Sequence, residues 1–551
     1  MSSNSGSQSS LSSKALGIAS SLMLLQLLSR GVTFALNQAL ARLASPAVFG
    51  TASIQFELLS STILFLSREG VRNALLRAKS DPGDKTQDNG NMHPSIENIS
   101  LLPPLLGVPV ALFSALLYLY LTPPATLSQP YFTQSVAIYA LAAVLVLISE
   151  PLYIRAQNDL QFGIRVRAEG SAVILKAVVS VAIIVWGGEE KALLAFALGQ
   201  AAYGFCTLVV FWLAYPTQLK LWPSKIAETV HGNVREYYFE PKLLRLSMAM
   251  TSQSFIKHLL TEGDKFAVSM ISTLEDQGAY AIASNYGSLV ARIVFQPIEE
   301  SSRVFFSKAL ASEDAQKGKQ ASKETNTMTS VHTVLSLILL FDVHLTLLLV
   351  TFAPPYLPTL LKLLLPPRYL LTSAPQILAL YPTILLPTMA FNGTLEAFLA
   401  STSTPSVMKA HAQFLVGASV ASAGAVWLLV EYLQWKTTGL VWANSFNLFL
   451  RAGWAGWWAW EWFGKNAAAG RSWHQAFPPL PVWVTCLLCG AVVRATFPEG
   501  GGLKGSGWKG IGLEDIRHVG VGATCALLTV AVCFLSQRKH LQQELSIVRG
   551  K

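Results

Sequence analysis

Residues 99–121 read ISLLPPLLGVPVALFSALLYLYL, without one Asp, Glu, Lys, Arg or His. A hydrocarbon core roughly 30 Å thick asks for about 20 such residues from a helix that rises about 1.5 Å per residue. One run of this kind fits the buried core helix of a soluble protein. This run has many companions, at 15–40, 50–78, 131–154, 168–187, 190–216, 243–272, 278–307, 328–353, 373–400, 409–430, 438–459, 475–495 and 518–537. Composition agrees: 52% of the 551 residues are hydrophobic and 13% charged, where soluble domains carry about a quarter charged. The pattern predicts an all-α polytopic membrane protein of about fourteen transmembrane helices.

Working outward from the spans, the first residues are mostly Ser, Gly, Asn and Gln. They lack a basic n-region, so 1–14 is expected to be a disordered tail rather than a signal peptide. Six spans over 15–216 precede a Pro-, Lys- and aromatic-rich linker at 217–242, and six more fill 243–459. Two additional spans with their loops occupy 460–537, and 538–551 forms a tail. No residue-level repeat relates the two halves, so this division rests on helix count and on the linker. Pro354, Pro355, Pro358, Pro366 and Pro367 are expected to fragment 353–372 into a re-entrant or interfacial piece.

With the N-terminus in the cytoplasm, the loops on that side hold twenty-five Lys and Arg residues against nine on the other. The positive-inside rule then places both termini in the cytoplasm. Basic loops facing anionic lipid account for the net charge of +10. No zinc finger, homeodomain or similar signature accompanies that charge, so no nucleic-acid partner is expected. Cys486 and Cys489 share a C-x-x-C spacing but lie inside an apolar span with no second pair, which favours packing over metal or redox chemistry. The sequons at Asn98 and Asn392 fall at a cytoplasmic span edge and within a span, so neither is expected to carry a glycan. Trp454, Trp457, Trp458, Trp460 and Trp462 form an aromatic belt at a span end.

Charges inside the spans are the candidate functional residues, because ionisable groups in lipid are costly unless paired or facing a cavity. Arg30 stands mid-span in LLQLLSRGVTFAL, with Gln26 and Asn37 on its face. It faces a cavity that takes an anionic headgroup, or it is paired inside the bundle. In FLSREGVR, Arg68 and Arg72 share a face and Glu69 is within reach of Arg72. They suit a polyphosphate, or simple anchoring at the cytoplasmic edge. SFIKHLLTEGDK puts His258, Glu262 and Lys265 on one face. Two metal-ligand types with no third make a charge network the better reading than a metal site. RIVFQPIEESSR aligns Arg292, Gln296, Glu299 or Glu300, and Arg303, with Glu299 and Arg303 in the favourable i,i+4 order. FNGTLEAF sets Asn392 and Glu396 on one face beside Gly393. Glu169, Glu262 and Glu396 are candidates for proton or cation coupling.

Those blocks together, with RAE at Arg167 and Glu169, closely resemble the Rft family of endoplasmic-reticulum membrane proteins over about Ala15 to Gln537. That family sits within a wider group of multidrug and lipid-linked-oligosaccharide exporters that includes the bacterial peptidoglycan-precursor flippases. Two segments, near 311–327 and 460–517, look like fungal-type elaborations. The resemblance implies two six-helix lobes around a central cavity plus two C-terminal helices, resident in the endoplasmic reticulum. It implies a dolichol-pyrophosphate-linked mannose oligosaccharide as partner, moved to the lumenal leaflet for N-glycosylation with no enzymatic step and no cofactor. Arg30, Arg68 and Arg72 would approach one volume with Glu262, Glu299 and Asn392. Membrane lipids and other components of the N-glycosylation pathway would be its remaining partners. Two other functions fit the same residues: an accessory protein that binds or organises that lipid, and an ion-coupled exporter of another amphiphile. No G-x-x-x-x-G-K-[ST] motif is present, so ATP-driven transport by this chain alone is not expected.

Overall fold

The computed structural model describes residues 31, 34–35, 37–78, 87–88, 91–159, 161–220, 222–230, 233–314, 321–465, 473–497 and 512–548. Arg30 and most of the expected first span lie outside these residues, as do the tails 1–14 and 549–551. Nearly everything described is helical, as lipid requires of a backbone with no water to bond. The long helices are α1 (Pro46–Leu75), α2 (Pro94–Leu121), α3 (Phe132–Asn158), α4 (Gly163–Gly187), α5 (Glu189–Ala214) and α6 (Pro241–Ile271). They continue with α7 (Leu274–Val290, extended by Gln296–Asp314), α8 (Ala321–Leu364), α9 (Ala374–Thr402), α10 (Ser406–Tyr432), α11 (Lys436–Lys465), α12 (Trp473–Ala495) and α13 (Leu513–Val548).

Among the described residues ten of these helices are long and apolar enough to cross a membrane. The three that fall short, α6, α7 and α11, match expected spans in position. They carry Lys257, His258, Glu262, Asp264 and Lys265, then Arg292, Glu299, Glu300 and Arg303, then Arg451. Their polar content is what removes them from the apolar set.

The chain folds as two compact units, residues 1–278 and 279–551. The division falls inside α7, one helix later than the linker at 217–242, because α6 packs along the end of α1 in the first unit. Gly70 makes that crossing: a Cβ there would overlap the Thr251 backbone. In the first unit α5 also packs on α3 and α4, and α2 on α3. An apolar cluster that includes Val71, Ile99, Leu152, Ile164 and Phe211 closes one end. In the second unit α9 is central, against α7, α8 and α11, while α12 and α13 pack on each other and on α8. Phe398 fills its core between Phe306 and Phe463, at centroid distances of 5.3 and 5.2 Å. Leu112, Phe113 and Trp186 of the first unit, and Leu487 and Leu527 of the second, stand exposed. Apolar surface on that scale matches hydrocarbon rather than water.

Two features depart from the expected pattern. The Pro-rich stretch does not break the chain: α8 runs through Pro354, Pro355 and Pro358 to Leu364, and only then gives way to a short turn at Pro367–Leu370. At the end of α8 a neighbouring side chain takes up a terminal helix carbonyl: Tyr286 donates to the Leu364 carbonyl at 3.3 Å. The all-α expectation also misses two antiparallel hairpins, β1 (Gln87–Asp88) with β2 (Asn91–Met92) and β3 (Ile226–Val230) with β4 (Asn233–Tyr237). The second hairpin lies in the linker, and Asn98 ties down its flanks. The Asn98 amide donates to the carbonyls of Ser224 and Tyr238, both at 2.6 Å, and its oxygen accepts from the Ser224 N–H at 3.0 Å.

Candidate functional site

The block FLSREGVR is not a regular α-helix. Phe65–Glu69 forms a π-turn within α1, and such one-residue insertions recur at functional sites. Arg72 places its guanidinium fork on Glu150 of α3, bonding through Nε and, at 2.8 Å, through Nη2. The same guanidinium lies 3.8 Å from the Tyr153 ring centroid. Arg68 reaches the same carboxylate only at its edge, Nη1 to Oε2 at 3.8 Å. Glu150, 1% exposed, therefore serves two arginines with one charge. The i,i+3 pairing of Arg72 with Glu69 is replaced by this longer-range fork, since a bidentate match is the stronger contact. Glu69 accepts from Asn73 at 3.4 Å.

Arg68 borders a cavity of about 440 Å³ wholly within the first unit. Its walls include Asn37, Glu57, Glu69, Lys176, Gln200 and Tyr203. Arg72 does not line it, being turned to Glu150. Glu169 lies outside the lining as well: it pairs with Arg165 at 2.8 Å on a half-exposed face of α4.

The α6 cluster divides between two tasks. His258 is buried against α1, with Nε2 2.9 Å from Thr62 Oγ1 and its ring stacked on Phe65 at 4.8 Å. Glu262 and Lys265 form an ion pair at 2.9 Å. Among the described residues no group of three or more His, Cys, Asp or Glu side chains stands ready to hold a metal ion.

In the second unit Arg292, at a π-turn spanning Ala291–Phe295, folds back on its own helix. It donates to the Asn285 carbonyl at 2.8 Å and to Ser288 at 2.9 Å. Glu299 and Arg303 pair at 2.8 Å as their spacing predicts. Gly393 leaves room for Glu299, whose Oε2 lies 3.1 Å from where a Cβ would stand. Glu396 is held by the Arg451 fork through two bonds of 2.8 Å. Asn392 is buried with its Oδ1 unpartnered among the described residues. Asp342 is buried too and accepts from Thr394 at 2.8 Å.

Glu150, Lys176, Asp342 and Arg451 escaped the sequence reading. Their signal was present: each is a lone charge in an apolar run, as in LISEPL, VILKAV, LLFDVH and FLRAGW. Arg30, Arg68 and Arg72 with Glu262, Glu299 and Asn392 are the residues expected about one volume. Arg68 lines the first unit's cavity, Arg72 supports it from behind, and Arg30 lies outside the described residues. Glu299 and Asn392 belong to the second unit.

The helices and their order define a class. The solved lipid II flippase MurJ, in an inward closed conformation, superposes with a TM-score of 0.59 at 13% identity, covering 93% of this chain and 98% of its own. By fold, then, this is a many-helix membrane protein of the MurJ kind. Residues 14–547 match the family model described as Rft protein, and the chain belongs to the Rft family. It is 31% identical to the Man(5)GlcNAc(2)-PP-dolichol translocation protein RFT1 of Candida albicans, over 79% of each chain. The protein of that name from Yarrowia lipolytica is 32% identical, over 96% of this chain and 80% of the relative.

Proposed function

We propose that this chain moves a Man5GlcNAc2-pyrophosphate-dolichol from the cytoplasmic to the lumenal leaflet of the endoplasmic reticulum, making and breaking no covalent bond. The carrying observation is the relatives' naming for translocation of this lipid at 31–32% identity over most of the chain. The physical fit supports it. A polyprenyl tail stays in hydrocarbon, while phosphates need cations and sugar hydroxyls need carboxylates and amides. Arg68, beside a polar cavity and only partly neutralised by Glu150, is the phosphate contact in this reading, and Arg30 a second. Glu69 and Glu262 are offered to the glycan in the first unit, and Glu299, Asn392 and Glu396 in the second. Arg72, Glu169, His258, Lys265 and Arg292 hold those elements in place.

The membrane arrangement belongs to the same proposal. Fourteen spans result when 15–40, α6, α7 and α11 join the ten apolar helices, because polar residues facing a cavity are tolerated in a spanning helix. The helix repeat runs over 15–216 and 243–459, with 460–537 added and both termini cytoplasmic. Purified protein in vesicles loaded with the defined lipid should exchange it between leaflets faster than empty vesicles do. Arg68→Gln should lower that exchange by about tenfold, roughly the worth of one charge-assisted hydrogen bond, with membrane insertion unchanged. Binding without exchange would instead mark an accessory protein, and neither binding nor exchange would end the substrate assignment.

A further inference from the structure

We infer that Lys176 and Gln200, with Arg68, form a pyrophosphate subsite in the cavity of the first unit; this rests on the functional reading above and adds residues to it. Lys176 stands at the middle of α4 in the run SAVILKAVVS, where an ammonium is costly unless it meets a counter-charge or a polar cavity. Among the described residues it makes no ion pair or hydrogen bond, and its setting is the cavity wall. Gln200 is 8% exposed and lines the same cavity, again with no hydrogen-bond partner among the described residues. Lining the cavity without a partner among the described residues, the amide keeps its donors and acceptor open to a ligand there.

The two are mounted together. Gly199 lets α5 close on α4: a Cβ there would stand 2.7 Å from the Lys176 carbonyl. The backbone of Lys176 is thereby fixed against the helix that presents Gln200. Arg68 supplies a second cation from α1, because the nearby Glu150 already carries the Arg72 fork. Two cations and an amide donor about one cavity suit a multiply charged phosphate group better than a neutral polyol. Glu57 and Glu69 on the α1 wall repel phosphate but accept sugar hydroxyls, which gives the bound headgroup a direction.

The test uses the full-length protein in phosphatidylcholine nanodiscs with two probes, a short polyprenyl pyrophosphate and the matching polyprenol. Wild-type protein should prefer the pyrophosphate. Lys176→Gln should weaken pyrophosphate binding about tenfold, Lys176→Arg should stay within about threefold of wild type, and polyprenol binding should not move in either. Gln200→Met, read in parallel, should cost about threefold and keeps the test decisive if Lys176→Gln does not fold. Pyrophosphate binding at wild-type strength in folded Lys176→Gln, or in Gln200→Met where only that variant folds, overturns this assignment and leaves the functional reading standing. Wild-type protein that does not distinguish pyrophosphate from polyprenol overturns both.

Discussion

At Glu150 one carboxylate meets two guanidiniums, and its geometry decides what each arginine is free to do. Arg72 has its fork satisfied and its face on Tyr153, while Arg68 touches only an edge and keeps donors for the cavity. Removing one partner of a buried pair strands the other's charge, which costs about 3 kcal/mol or more, whereas removing both costs much less. Glu150→Gln and Arg72→Gln should therefore each lower the thermal unfolding midpoint sharply in detergent. The double variant should recover more than half of the loss, because contacting residues are not additive. Strictly additive losses would mean that the pair does not stabilise the fold. Residues of this kind are half legible in a sequence. A lone charge in an apolar run announces a site, as at Glu150 or Arg451, but its partner lies tens of residues away, and local i,i+3 or i,i+4 spacing names the wrong one. Glu299 with Arg303 was readable because both sit on one helix. Glu396 with Arg451, 55 positions apart, was not.

At the scale of elements, hydropathy reads apolar helices well and polar ones only by their company. The runs at 243–272 and 438–459 read as spans in the sequence, yet α6 and α11, which they become, are too polar to enter the apolar spanning set. The π-turns at Phe65–Glu69 and Ala291–Phe295 leave no mark in residue pattern, since one inserted residue changes register without changing composition. The linker hairpin shows the same limit, for its anchor is Asn98, within the sequon Asn98-Ile99-Ser100. Topology alone argues against a glycan there; the structure supplies a second reason, because the amide nitrogen already donates twice at 2.6 Å. Asn98 should thus be unmodified, checked by the absence of a glycosidase-sensitive mobility shift on gels. Asn98→Asp keeps an acceptor for Ser224 but loses both donors, leaving two carbonyls short of a partner. It should cost about 1–3 kcal/mol and speed proteolysis within 222–238. An Asn98→Asp protein as resistant as wild type would show that the hairpin is held by other contacts.

For the whole molecule, the electrostatics of the loops make the strongest remaining commitment. Basic residues cluster at alternate helix ends: Arg165 and Arg167 open α4, Lys220 and Lys225 follow α5, and Lys242 and Arg245 open α6. In the proposed arrangement successive spans alternate in direction, which puts these positions on one side. Lys and Arg near span ends are retained on the cytoplasmic side, where anionic lipid attracts each by about 1 kcal/mol. A chain with an even number of spans then returns its C-terminus to the side on which it began. The prediction is that single cysteines at Lys79, Lys220 and Lys319, in a protein whose five native cysteines are replaced by serine, react with an impermeant maleimide only from the cytoplasmic face of sealed microsomes. A cysteine at Lys191, in the first turn of α5, should react only once the vesicles are opened. The position at 319 carries the most weight, because α6 and α7 lie between it and Lys220 and both are too polar to be counted as spans on hydropathy. If α6 and α7 cross, Lys220 and Lys319 label from the same side. If only one of them crosses, Lys319 labels from the lumen, and the fourteen-span arrangement gives way to one with an odd number.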